Sequence, residues 1–163
     1  VGSEMCIRDR YLHHYLPEAQ VRAVELADAA LAYTTANTRG SGVEVIQADA
    51  TDATTLAEWN GTVDLIVTNP PYVPETPNLD PEVYHDPHDA VFAGEDGMGV
   101  ITGLIPTFAR LLRPGGKVAI EHDDSTSEAV QAVMARHGGF ERISALQDMT
   151  GTPRFVTAVR AVD

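Results

Sequence analysis

Cysteine occurs once in these 163 residues, at Cys6, so no disulfide can close within the chain. Cations are scarce as well. Eleven Lys and Arg stand against 24 Asp and Glu, a formal charge of -13, which gives no counterion-release drive toward a phosphate backbone. Direct nucleic-acid binding is disfavoured on that ground. No apolar run approaches the roughly 20 residues of a membrane-crossing helix, so neither a membrane nor a secreted setting is indicated and the cytoplasm is expected. What is present suffices for one domain, because a chain of this length buries about two-thirds of its surface without a disulfide or metal staple.

The first ten residues, VGSEMCIRDR, carry neither helical nor strand periodicity and lack the apolar core of a signal peptide. They read as a leader foreign to the fold, with an ordinary frayed terminus as the alternative. The domain proper is expected over residues 11–163. Val21, Ala23 and Val24 form a short apolar run ending at Glu25; Asp28 then caps a helix running through Leu31 toward Arg39 and closed by Gly40. Val43, Val45 and Ile46 give a second strand that stops at Asp49, and Val63 to Thr68 a third that stops at Asn69.

From Val73 to Gly99 the chain is rich in Pro, Asp and Gly without periodicity, which reads as a long active-site loop. Ile101, Leu104, Ile105, Phe108, Leu111 and Leu112 mark one face of a helix expected to stop at Pro114, Gly115 and Gly116. A strand over Val118 to Ile120 ends at Glu121. Ser125 and Glu128 form a capping-box pattern for a helix that packs Val130, Val133 and Met134 and ends at Gly138 and Gly139; two strands follow, around Ile143 to Leu146 and Phe155 to Val159. Strands alternating with helices predict an α/β fold with a mostly parallel sheet and helices on both faces. Ligands of such sheets sit beyond the carboxyl ends of the strands, so Glu25, Asp49, Asn69 and Glu121 are expected to converge on one crevice.

Asn69, Pro70, Pro71 and Tyr72 follow the apolar run Leu65, Ile66 and Val67. The Asn side chain offers an oxygen, the two prolines lack backbone donors, and Tyr72 supplies a ring, so the turn presents acceptors beside a flat apolar wall. Such a pocket suits a planar amide or amino group; an ordinary Asn-Pro turn is the plainer alternative. Glu25, at a strand end, is placed to accept ribose hydroxyls, and Asp49 could take an adenine amino group or merely cap its turn. The other chemistry-bearing residues read as bland. Gly94, Gly97 and Gly99 lack the spacing of a phosphate cradle, His13, His14, His85 and His88 make no metal-ligand pattern, and His122, Asp123 and Asp124 form a solvated turn. Arg154 is taken as a surface or substrate-edge charge.

The segments LPEAQVRAVEL, QAD, VDLIVTNPPYVPE, DPHDAVFAGEDGM, LLRPGGKVAIEH and TGTPRFV, in this order, resemble the release factor glutamine methyltransferases over nearly all of Tyr11 to Val162. NPPY alone is shared with methyltransferases acting on adenine or guanine amino groups. Asp86-Pro87, Gly94 to Gly97 and Glu121-His122 narrow the resemblance to the glutamine branch. It implies a Rossmann-like class I fold dependent on S-adenosyl-L-methionine, with Glu25, Asp49 and Asn69 toward the cofactor and no metal. It further implies methyl transfer to the side-chain nitrogen of the GGQ glutamine of peptide chain release factors, by a monomer. Asn69, Pro70 and Tyr72 would be catalytic, and Pro71 would join them in holding substrate. A DNA or RNA amino-methyltransferase, or a non-catalytic fragment, is the alternative.

One departure stands at the amino end. The family's glycine-rich cofactor loop aligns near positions 2, 4 and 6, where this chain has Gly2, Glu4 and Cys6, and the family's first strand and helical amino-terminal domain are not recognisable. Losing two cofactor hydrogen bonds at about 1.5 to 3 kcal/mol each would weaken binding by roughly two to four orders of magnitude. Weak or absent activity of these 163 residues is the expectation.

Overall fold

The computed structural model describes residues 9, 11–72, 93, 94 and 97–162. The residues aligned with the cofactor loop, and most of the expected active-site loop, lie outside that set. The chain divides into two compact units, Val1–Ala50 and Thr51–Asp163.

In the first unit, residues 11–15 are helical, and β1 (Arg22–Glu25) is followed by α1 (Asp28–Thr38) and β2 (Glu44–Gln47). β1 and β2 pair in parallel, Glu25 opposite Gln47, so their carboxyl ends lie side by side. Arg22 and Glu44, opposite each other, close a 2.9 Å ion pair across the strands. The expected cap of α1 differs. Asp28 is the first helical residue rather than its cap; the capping position is Ala27, which has no side-chain acceptor, and the Glu25 carboxylate reaches forward to accept the Ala27 N–H at 2.9 Å. As expected, Gly40 follows the helix in the left-handed region, at φ +75°.

The second unit contains β3 (Val63–Thr68), α2 (Gly99–Leu111), β4 (Leu112–Glu121), α3 (Ser127–His137), β5 (Phe140–Gln147) and β6 (Pro153–Arg160). The sheet order is β3-β4-β6-β5; β3 and β4 are parallel, and β6 is antiparallel to both its neighbours. Three of the four strands therefore point one way, with the last strand inserted in reverse. A hairpin explains the reversal. Asp148 accepts from Thr150 N, Thr150 Oγ1 and Thr152 N, folding residues 148–152 into the turn that joins β5 to β6.

Of the six apolar positions predicted for one helix face, five lie on α2 and Leu112 opens β4 instead; all six are buried, from Ile101 at 0% exposure to Leu104, Phe108 and Leu111 at 5%. They meet Val118 and Ile120 of β4, Val156 and Ala158 of β6, and Val130 and Met134 of α3 in a single core. The Pro-Gly-Gly segment, in contrast, does not end a helix. α2 ends at Leu111 and β4 begins at once, with Asp64 on β3 opposed by Arg113 to Gly116 on β4, a wide irregularity between the pairs Val63–Leu112 and Leu65–Lys117. Pro114 needs no partner for the N–H it lacks at such a bulge, and Gly115 takes φ +77° there. Arg113 pins it through a 2.6 Å bond to Asp64. The capping box also fails to form: Asp123 caps the turn Asp124–Thr126 ahead of α3, accepting from Ser125 N at 3.0 Å and Ser125 Oγ at 2.5 Å.

Candidate active site

Within the first unit the structure brings Glu25 and Asp49 to the same end of the β1–β2 pair. Glu25 is half-buried and holds Ala27 with Oε1, which leaves its second carboxylate oxygen for a ligand; Asp49 is exposed. Their chemistry fits the hydroxyl and amino donors of a nucleoside.

Within the second unit the β3–β4 register sets Thr68 opposite Ile120, so Asn69 and Glu121 continue the two strands side by side, and Pro70 and His122 follow. Asn69 is half-buried, Pro70 buried, Pro71 and Tyr72 half-buried. Asn69 Oδ1 is sealed from solvent and has no hydrogen-bond partner. Leaving such an acceptor unsatisfied costs about 1–3 kcal/mol, which folding tolerates where a ligand donor is to be met. Its neighbours in the turn could satisfy it only through a donor. Pro70 and Pro71 cannot, because neither carries an N–H.

His122 departs from the solvated turn expected of it. The residue is fully buried, its N–H extends the β4–β6 ladder by donating to Arg154 O at 3.0 Å, and its Nδ1 lies 2.7 Å from Asp123 O. A carbonyl only accepts, so Nδ1 carries a hydrogen; Nε2, too, is buried and unpartnered. Sequence periodicity could have found it, because His122 continues the alternation of buried Val118 and Ile120. The neighbouring Asp123 is held below its ordinary value of 3.8, chiefly by the Ser125 hydroxyl, with the Ser125 N–H assisting against partial desolvation. Asp124 is exposed, as expected of a turn. Arg154 is partly exposed and stands 3.9 Å from Asp148. Among the described residues no cluster of His, Cys, Asp and Glu could hold a metal ion.

These strand ends can be compared with known proteins. A family model described as RMKL-like, methyltransferase domain, matches residues 4–78. The release factor glutamine methyltransferase of Corynebacterium glutamicum is 52% identical over 150 residues, which cover 91% of this chain and 54% of that protein. Over most of its length this chain is similar to the release factor glutamine methyltransferases. The Mycobacterium tuberculosis protein of the same name is 44% identical, over 88% of this chain and 47% of its own length. A 4-amino-L-phenylalanine/4-methylamino-L-phenylalanine methyltransferase of Streptomyces pristinaespiralis is 42% identical, over 82% and 46%. The chain thus spans about half the length of the curated relatives it matches. Among solved structures, a methyltransferase from Pyrococcus furiosus superposes with a TM-score of 0.65 at 18% identity, covering 93% of this chain and 68% of that one. A predicted O-methyltransferase from Agrobacterium tumefaciens gives 0.62 at 17%, covering 94% and 68%. The fold is the Rossmann-like fold of S-adenosylmethionine-dependent methyltransferases.

Proposed function

We propose that this chain carries the catalytic core of a protein-(glutamine-N5) methyltransferase whose substrate is a glutamine side chain of a peptide chain release factor in the cytoplasm. The observation that supports this most is the unsatisfied Asn69 Oδ1, buried at the end of β3 ahead of two residues without donors. A carboxamide nitrogen is a poor nucleophile, because its lone pair is conjugated with the carbonyl. Asn69 Oδ1 and the Pro70 carbonyl each accept one amide hydrogen, which aims the nitrogen and favours the positive charge that develops on it. Tyr72 covers the flat face of the amide. Pro71 stiffens the turn, so the two acceptors are held before the substrate arrives. S-adenosyl-L-methionine, when bound, supplies an electrophilic methyl group on sulfur. Glu25 and Asp49 on the first unit are the residues proposed to hold its ribose and adenine, and Asn69 on the second is the residue proposed for its methyl end.

The catalytic domain in this reading starts near Tyr11, and the substitutions at positions 4 and 6 leave cofactor affinity two to four orders of magnitude below the micromolar range. Calorimetry of the 163-residue chain should accordingly give no saturation at micromolar S-adenosylmethionine; a micromolar Kd would contradict the weakened-cofactor reading. Asn69→Ala should lower the methylation rate of a release factor by about two to three orders of magnitude at millimolar cofactor, as for loss of one preorganised hydrogen-bonding group. An unchanged rate would refute the role given to Asn69.

A second reading is favoured by the 42% identity to the amino-phenylalanine methyltransferase. The same two acceptors would then orient an aromatic amine. Competition between a glutamine peptide and 4-amino-L-phenylalanine for one preparation separates the two, with the peptide expected to be methylated first.

A further inference from the structure

The structure assigns the groove between α2 and α3 as a docking site for an acidic amphipathic helix, seated with its first turn against Arg136. Docking there needs neither Asn69 nor a methyl donor. The groove lies within the second unit and has a volume of about 620 Å³, inside the range of roughly 300–1,000 Å³ that ligand sites occupy. Met98 and Ile105 form its floor, at 7% and 1% exposure. Thr102 and Pro106 of α2 and Ala129 and Ala132 of α3 line it and are exposed. A helix rises about 12 Å from Met98 to Pro106, or from Ala129 to His137, so the groove takes roughly two turns of an occupant.

Backbone chemistry favours a helix as that occupant. Two flanking helices expose no row of main-chain donors and acceptors, so an extended peptide would leave its own backbone unpaired, whereas a helix satisfies its backbone internally and lays an apolar ridge between the walls. Charge then selects the kind of helix. Acidic residues outnumber basic ones 24 to 11 in the chain, yet none lines the groove, whose charged end is made by Arg136 and His137. His137 turns Nδ1 to Gly138 O at 2.8 Å. Arg136 makes no ion pair among the described residues, whereas Arg22, Arg113 and Arg154 face carboxylates and Arg110 and Arg160 hold main-chain carbonyls. A carboxylate on the occupant completes it. An occupant antiparallel to α3 brings its first turn, where an acidic residue is itself favoured, to the carbonyl end of α3. Pro106 lacks the N–H that would meet the Thr102 carbonyl one turn back, so the α2 wall also offers an acceptor to a polar side chain of the occupant.

The test titrates the 15N-labelled 163-residue chain with a blocked peptide of about 18 residues, long enough to populate a helix alone. It is built of Ala, Leu and Gln, with leucines at i, i+3, i+4 and i+7 and a single glutamate in the first turn; the control peptide has lysine at that place. The amide signals of Thr102, Ala129, Ala132 and Arg136 should shift and saturate, and the glutamate peptide should bind about fivefold more tightly than the control. Arg136→Ala should bring that ratio to within about twofold. Ala132→Leu fills the groove from an exposed position and should weaken both peptides by about tenfold with the spectrum otherwise preserved. No shift at millimolar peptide, equal affinity for the two peptides, or undiminished binding by Ala132→Leu would overturn the assignment. Movement of the same signals when the chain is merely concentrated, without peptide, would overturn it too, because a second copy would then fill the groove.

Discussion

At the scale of single residues, stability and function separate. Asn69 Oδ1 is buried without a partner, so removing it relieves a desolvation cost instead of breaking a bond. Asn69→Ala should leave the melting temperature unchanged or slightly raised while methyl transfer falls; a clear drop in melting temperature would mean that the amide is structural. Asp123 behaves oppositely. Its folded pKa lies below its ordinary value, so its contribution is fully present above about pH 4 and is lost as pH falls toward the lowered value. A carboxyl-detected NMR titration should place its midpoint below 3.8, and Asp123→Asn should lose that part of the acid dependence. Asn69 stood out in the sequence as a candidate because its neighbours are so specific. His122 was legible only in part: a His beside two acidic residues reads as solvent-facing, although it continues the alternation of Val118 and Ile120 that the structure buries.

At the scale of elements, apolar periodicity carried most of the architecture. Val63–Thr68 and the apolar face of α2 formed by Ile101, Leu104, Ile105, Phe108 and Leu111 follow directly from spacing, because burial on a helix or strand leaves a repeating mark. Local chemistry misled where tertiary pairing overrode it. Pro114-Gly115-Gly116 has the composition of a helix stop, yet pairing of β4 with β3 draws these residues into the strand as a bulge. Gly116 is required there, since a Cβ would stand 2.9 Å from the carbonyl oxygens of both Val63 and Arg113. Gly116→Ala should therefore cost about 1–3 kcal/mol, read as a lowered urea midpoint at unchanged m-value; a neutral result would show that the bulge yields freely. Ser125 and Glu128 had capping-box spacing, but Asp123 reaches the Ser125 N–H first. Spacing alone cannot rank two acceptors competing for one donor.

At the scale of the whole molecule, net charge weighs on the class of partner. An excess of 13 negative charges opposes binding to nucleic acid, so no duplex DNA complex should form even at low salt, where such binding is strongest. A salt-sensitive complex in a filter or anisotropy assay would revive the nucleic-acid alternative. The order β3-β4-β6-β5 with a reversed last strand was only partly legible: strand-helix alternation predicts parallel neighbours, and nothing local announces that β6 inserts between β4 and β5. That insertion leaves β3 and β4 adjacent and parallel, which brings Asn69 and Pro70 beside Glu121 and His122. The central claim is that these strand ends aim a glutamine amide for methyl transfer. Its most direct test incubates the chain with a release factor and millimolar S-adenosylmethionine and locates the added mass by fragmentation. The account predicts one methyl group, on the side-chain nitrogen of a single glutamine; a methyl group on any other residue type, or two on the same nitrogen, would contradict it.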